Sequence, residues 1–285
     1  MAPSRFPKTS FDSARAIEVE RQGPRVRYVP VAGAHGPAAA RNAGWRAARG
    51  AIVAFTDDDC IPDSGWVRAM AGALAGGAAA AAGRIVVPLA DRPTDYERDA
   101  AGLMRAEFAT ANCCCRRDVL AAVGGFDERF TDAWREDSDL QFTLLRRGCN
   151  LIPAPAAVIV HPVRPAAWGV SLRQQRKSMF NALLYKKHPR LYQRHIQPQP
   201  PWHYYRIAGA LFGMLIALVL RRRRLTLCGA SIWLLLTSRF CARRLRGTSH
   251  APGHIAEMMV TSALLPALSI FWRLRGALRY RVLFM

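Results

Sequence analysis

An α/β fold with a largely parallel sheet, followed by a helical membrane region, is what this 285-residue sequence predicts. Three observations carry the expectation. Short apolar runs alternate with helix-length segments through residues 26–165, the order that builds βαβ layers. Three adjacent aspartates, Asp57, Asp58 and Asp59, follow the apolar run at 51–55. Carboxylates leaving a buried strand there sit at the edge where open α/β sheets bind ligands. From residue 204 onward, long apolar stretches are interleaved with arginine clusters, which suits lipid and anionic headgroups.

Each element follows from local signals. Residues 26–31 alternate like a short strand. Pro37 opens a helix that runs to Arg49 and stops at Gly50. The run at 51–55 is a buried strand, with the turn beyond it marked by Pro62-Asp63. A helix over 66–74 comes next. The alanines at 78–82 favour helix by propensity, yet they run through Gly83 into Ile85-Val86-Val87, so a strand is expected overall. A helix near 95–104, a strand near 108–115 and a helix over 117–123, ended by Gly124-Gly125, follow. Residues 134–147 make a helix with Glu136, Asp137 and Asp139 in its first turns and Arg146 and Arg147 in its last, matching the helix dipole. A buried strand at 157–160 ends at His161-Pro162.

Composition bounds the function classes. Half the residues, 51%, are hydrophobic, so disorder is not the default expectation. The net charge is +21, but only four of the 41 basic residues are lysines, and the arginine excess accompanies abundant Ala, Gly and Pro. No nucleic-acid-binding module accompanies it, so no nucleic acid partner is expected. The seven cysteines lack paired metal spacing, and adjacent Cys113-Cys114-Cys115 would point to opposite strand faces. Neither a zinc site nor a disulfide framework is expected; a reducing compartment is. Residues 1–13 are polar with two prolines and do not read as a signal peptide.

The chain divides at about residue 200. The second part, 204–285, carries apolar runs near 204–220, 225–240 and 255–272, the last broken by Pro266. The unbroken stretch at 207–220 holds 14 residues, about 21 Å of helix against a hydrocarbon core of roughly 30 Å. Two or three membrane segments are expected, with a re-entrant or interfacial hairpin as the alternative. A soluble core is disfavoured because the four arginines at 221–224 cannot be buried unpaired.

Clustered carboxylates repel one another unless they share a cation. Hard oxygen ligands suit Mg²⁺ or Mn²⁺, which would in turn hold a diphosphate. A solvated acidic turn is the alternative.

Several strings in order extend this reading: Gly36-Pro37-Ala38-Ala39-Ala40-Arg41-Asn42-Ala43-Gly44, then Phe55-Thr56-Asp57-Asp58-Asp59, Ala111-Asn112 with Arg116-Arg117, Gly124-Gly125-Phe126-Asp127-Glu128, and Glu136-Asp137-Ser138-Asp139-Leu140. Together they resemble the family-2 glycosyltransferases over roughly residues 26–165. The resemblance implies a GT-A (Rossmann-like) mostly parallel sheet flanked by helices in residues 1–200, and a nucleotide-sugar donor. It puts the family's D-x-D pair on Asp57 and Asp59, holding a divalent metal (Mn²⁺ or Mg²⁺) on the diphosphate. It puts the general base on Asp137, beside Glu136, for a single inverting displacement. Arg41, Asn42 and Asp58 become candidate donor contacts, and Asn112 a further diphosphate or acceptor contact. His161 is a weaker metal candidate, with a core histidine as the alternative. Arg173-Gln174-Gln175-Arg176 resembles the Q-x-x-R-W segment that contacts diphosphate and acceptor in processive members, making Arg173 and Arg176 candidates. No tryptophan follows, so processivity is not implied.

The match departs from the family at one place. The apolar strand ending in P-T-Y-N and the V-V-D-D-G-S segment, which hold base and ribose, have no counterpart. Asp12-Ser13 and residues 14–20 look like the helix just after that second strand. The expectation is therefore a membrane-attached inverting glycosyltransferase on the cytoplasmic face of the cell membrane. Its acceptor would be a lipid-linked or cell-envelope saccharide, with membrane lipids as partners. A catalytically inactive pseudo-glycosyltransferase acting as a binding or scaffold protein is the alternative.

Overall fold

The computed structural model describes residues 26–31, 33 and 36–284. The polar segment 1–13 and the helix expected at 12–20 lie outside the described residues. The α/β class is the one found. Helix α1 (Pro37–Ala47) leads into β1 (Ile52–Thr56), a short β2 (Ile61–Pro62) and α2 (Trp66–Leu74). Then come β3 (Ala80–Val86), α3 (Asp95–Ala100) with a 3₁₀ turn to Arg105, β4 (Asn112–Arg116) and α4 (Arg117–Val123). Helix α5 (Glu136–Arg146) and the long strand β5 (Leu151–Val160) complete the sheet region. Residues 26–31 form no strand; they are irregular, with Val26 and Val31 exposed.

The five strands are ordered β1-β4-β3-β5-β2, with only β3 and β5 neighbouring in parallel. The sheet is therefore mixed, which corrects the expectation of a mostly parallel one. Strands β1, β3 and β5 do point the same way, but β4 runs antiparallel between β1 and β3, and β2 antiparallel beside β5. Strand–helix alternation sets the class. It does not set direction where a connection as long as residues 87–111 can return the chain either way round.

The adjacent cysteines report the pleat directly. Cys113 and Cys115 pack on one face with Trp45, Phe55, Phe126 and Leu140, while Cys114 packs on the other with Met70, Leu74 and Ile159. The alanines of β3 stay in strand because both neighbours pair with them: Ala80 and Ala81 are fully buried between β4 and β5. Pairing overrides their helix propensity.

Asn112 explains an irregularity between β3 and β5. The register shifts at Gly83/Arg84, leaving carbonyls that the ladder does not pair. The Asn112 amide donates to Arg84 O and Ala157 O, both at 2.9 Å, and accepts from Trp66 Nε1 at 2.8 Å. Buried polar groups must be paired, and this side chain pairs three. Asn112 is thus fully committed inside the sheet, which corrects its reading as a diphosphate or acceptor contact.

After β5 the chain forms α6 (Val170–Gln174), a 3₁₀ turn to Ser178, α7 (Met179–Lys187) and α8 (Pro189–His195). Three long helices follow: α9 (Trp202–Val219), α10 (Arg223–Leu245) and α11 (Pro252–Tyr280), each long and apolar enough to cross a membrane. With 18, 23 and 29 residues, they extend about 27, 34 and 43 Å. Helices α9 and α10 form an antiparallel hairpin. Its far half exposes Phe212, Leu215, Leu218, Val219, Leu225 and Leu227 around the arginine turn.

Helix α11 behaves differently. It continues through Pro266 instead of breaking there. It is also attached to the α/β domain along its length. Near its start, His254 Nε2 accepts from Asp95 N at 3.0 Å, and Glu257 Oε1 accepts from Gly169 N at 2.7 Å. Near its end, Gly276 lies so close to α7 that a Cβ would sit 2.5 Å from Met179 O, and Tyr280 O accepts from Lys186 Nζ at 2.7 Å. The root of α10 is tied in as well, through the ion pair of Arg244 with Asp95 at 2.8 Å.

Candidate active site

Because β1 and β5 point the same way, the aspartates after β1 and His161 after β5 reach the same sheet edge. The first turn of α5 faces them. Between lies a cavity of about 580 Å³ lined by Arg41, Asp57, Asp137 and His161 among others.

Arg41, from the middle of α1, bridges the two acidic elements. It donates to Asp57 Oδ1 and to Glu136 Oε1, each at 2.8 Å. Glu136 is buried, and its second oxygen has no hydrogen-bond partner. Burial first, then the Asp137 charge, pushes its carboxyl up to about 7 despite Arg41. Asp137 accepts from Ser138 N at 2.6 Å and Ser138 Oγ at 3.3 Å. Burial nevertheless raises it above the usual carboxylate range, outweighing those bonds and the nearby Arg135 and Arg41 charges. The helix start alone would have favoured the ionised form; desolvation wins.

The backbone is strained beside this pair. Arg135 caps α5 in the left-handed region at φ 76°, a conformation costing a non-glycine residue about 1–2 kcal/mol. Its guanidinium is held over the Trp134 ring at 4.6 Å and donates to Asn181 Oδ1 at 2.8 Å. Trp134 Nε1 donates to the same oxygen at 3.2 Å. Asn181 of α7 thereby fixes the turn that presents Glu136 and Asp137.

Across the cavity, Asp59 Oδ1 lies 3.5 Å from His161 Nε2, and Arg164 Nε donates to Asp59 Oδ2 at 3.0 Å. Asp59, Cys60 and His161 offer ligand atoms within 4.8 Å of one another. Carboxylate oxygen and imidazole nitrogen fit a divalent cation such as Mn²⁺. The Cys60 thiol, raised chiefly by burial, is the weakest of the three donors. Asp57 lies on the same loop with its carboxylate turned to Arg41. Asp58 points outward, its side chain 90% exposed and paired with Arg164 at 3.1 Å.

The structure brings Asp57, Asp137, Glu136, His161 and Arg41 together on one cavity and leaves other candidates elsewhere. Asn42 is 1% exposed. Its amide donates to Phe126 O and Glu128 Oε1, both at 2.8 Å, and accepts from Trp45 Nε1 and Phe126 N. It ties α1 to the loop after α4, which corrects its reading as a donor contact. The tie predicts a sensitive neighbour. Gly125 has φ +75°, and a Cβ there would lie 2.5 Å from Asn42 Oδ1 and Trp45 Nε1. Gly125→Ala is expected to cost roughly 2–4 kcal/mol, measurable as a fall in thermal midpoint.

Arg173 and Arg176 also face away from the cavity. Arg176 pairs with Asp132 at 3.0 Å, and Arg173 donates to Ala167 O at 3.4 Å. Their neighbours Gln174 and Lys177 line the cavity instead, with Tyr96, Trp134 and His195. The resemblance points to this segment, and four consecutive polar residues leave open which helical face meets the cavity. Arg164 carried no signal beyond its position after His161-Pro162.

Carboxylates from a strand end and a helix start facing one cleft define a sheet-edge ligand-binding domain of the α/β class. Comparison with known families places it further. The model described as glycosyl transferase family 2 matches residues 10–126, and that described as glycosyl transferase family group 2 matches residues 94–272, more than half of the chain. The chain belongs to the family-2 glycosyltransferases. Among curated relatives, the pre-mycofactocin glycosyltransferases of two Mycobacterium tuberculosis strains, CDC 1551 / Oshkosh and ATCC 25618 / H37Rv, are each 32% identical over 145 residues. Those matches cover 45% of this chain and 30% of each relative. Among solved structures, the mannosyltransferase PcManGT from Pyrobaculum calidifontis, in complex with GDP-Man and Mn²⁺, aligns with a TM-score of 0.47 at 18% identity, covering 98% of this chain and 76% of that one.

Proposed function

We propose that the chain transfers a sugar from a nucleotide-sugar to a hydroxyl of a lipid-linked or cell-envelope saccharide, with inversion. Family membership supports the reaction class. The observation that carries the mechanism is that Asp57, His161 and Asp137 line a single cavity.

In this reading Asp137 accepts the proton of the acceptor hydroxyl while that oxygen bonds to the anomeric carbon. The bond from that carbon to the diphosphate oxygen breaks from the opposite face, and the nucleoside diphosphate departs with the electron pair. One base suffices for a single displacement. A carboxylate raised by burial is a better proton acceptor than a solvated one. Asp59 and His161 are the residues to hold a divalent cation, with Asp57 alongside once Arg41 releases it. Such a cation, when bound, neutralises charge on the departing diphosphate. Arg41 and Arg164 remain as positive charges for the phosphates. The catalytic domain is placed on the cytoplasmic face, where nucleotide-sugars and free thiols occur, and the apolar helices attach it to the membrane.

The test is calorimetric binding, and hydrolysis, of a panel of nucleotide-sugars with and without Mn²⁺. Binding of at least one donor only with Mn²⁺ is expected; no binding by any donor leaves the scaffold alternative. Asp59→Asn and His161→Ala should each weaken Mn²⁺ binding about tenfold or more. Unchanged metal affinity in both would remove the assigned ligands.

A further inference from the structure

A second cavity, of about 260 Å³, adjoins the catalytic one and shares Asp99, Trp134, Gln174 and Lys177 with it. Its far walls come from the apolar helices: Tyr204 from α9, and Ser269 and Arg273 from α11. Of the charged groups lining it, Lys177 and Arg273 are cations and only Asp99 is a carboxylate. Among the described residues no carboxylate lies within 4.0 Å of Lys177. Arg273 donates to Gln197 Oε1 at 3.2 Å and lies over the Phe284 ring at 4.3 Å, so its guanidinium is held in place. Asp99 itself is raised above the usual carboxylate range, first by burial and then by Asp95.

The depth of this cavity relative to a bilayer follows from α9. Trp202, Tyr204 and Tyr205 cluster at its root, the residues that mark a membrane–water interface. The exposed apolar side chains, Phe212, Leu215 and Val219, begin two turns further along. Tyr204 belongs to both the aromatic root and the cavity wall. On that placement the cavity opens at headgroup depth, where lipid phosphates lie, while its other end adjoins the larger cavity that Asp137 lines.

We propose that this vestibule, with Lys177 and Arg273, binds the phosphate of a membrane-borne acceptor lipid, leaving the acceptor's hydroxyl-bearing end to enter the catalytic cavity. The proposal rests on the glycosyltransferase reading for the fate of that end. The anion site itself does not. Lys177 stands at the junction of the two cavities, where a point charge can meet the phosphate without blocking passage.

The test uses the full chain in nanodiscs of neutral phosphatidylcholine, released into native mass spectrometry with hexadecyl phosphate, hexadecanol or inorganic phosphate as probe. Retention of one hexadecyl phosphate is expected, at least tenfold above hexadecanol. Lys177→Ala should lower that occupancy about tenfold, and Ser269→Trp, which fills the vestibule, should do the same. Arg222→Gln at the hairpin tip should leave it unchanged. Equal retention of phosphate and alcohol, or indifference to Lys177→Ala, overturns the proposal; if Ser269→Trp fails to fold, Lys177→Ala alone decides. Retention of inorganic phosphate as strong as that of the lipid identifies a free-phosphate site and overturns the lipid assignment. Mn²⁺-dependent donor binding is measured on the same sample. Donor binding without lipid binding sinks only this proposal, and lipid binding without donor binding sinks only the glycosyltransferase reading.

Discussion

Asp137→Asn is expected to slow glycosyl transfer by about 10²–10⁴-fold, while donor affinity and thermal midpoint stay near those of the unaltered chain. The amide matches the carboxylate in shape and can keep the bonds from Ser138 N and Oγ. It cannot accept a proton at any working pH. Since burial raises Asp137, replacing it with a neutral group also removes a desolvation cost, so stability should not fall. Glu136→Gln separates the two neighbours. Glu136 is bonded to Arg41, so its loss should act on the site's electrostatics and raise KM more than it lowers kcat. A transfer rate unchanged in Asp137→Asn, with turnover measured on a competent donor, would remove the base assignment.

Arg41→Ala is expected to give the largest stability loss of the changes considered, about 3–5 kcal/mol at alkaline pH. That is the usual consequence of removing one partner of a buried pair. Arg41 holds Asp57 and Glu136 at once, and Glu136 is the more deeply buried, its side chain 4% exposed against 33% for Asp57. The loss should depend on pH in a definite direction. Glu136 has a folded-state pKa of about 7, above its ordinary 4.5. Its contribution to stability is therefore fully present below 4.5 and lost as pH rises through 7. Without Arg41 the folded value rises further, so the carboxyl takes up a proton and the deficit shrinks in acid. Thermal midpoints of the variant and the unaltered chain should converge toward pH 5 and diverge toward pH 8. A deficit independent of pH would mean that Arg41 acts through packing rather than through Glu136.

What the sequence made legible, and what it did not, divides along physical lines. Helices Trp66–Leu74 and Arg117–Val123 have the bounds read from the sequence; the left-handed Gly124 stops the second. The acidic pair at the start of α5 and the aspartates after β1 are legible because charge at an element's end is itself the signal. Strand direction was not, because β4 enters the sheet through a long connection that no local rule orients. Asn42 and Asn112 were misread for a shared reason. A side-chain amide serves a ligand or a backbone irregularity equally well, and only the register shift at Gly83 and the turn at Phe126 show where each is spent. Arg173 and Arg176 failed on helical phase, one residue away from Gln174 and Lys177.

Helix α11 has a consequence for selectivity. Anchored at its start through His254 and Glu257 and at its end through Gly276 and Tyr280, it cannot pivot on a single contact. On the membrane-attached glycosyltransferase reading proposed above, α11 would serve as a brace that holds the candidate site at a constant height over the lipid surface. Height then becomes a caliper. Acceptors whose reactive hydroxyl lies nearer to or farther from their anchor than that height would be turned over slowly, however well the sugar itself fits.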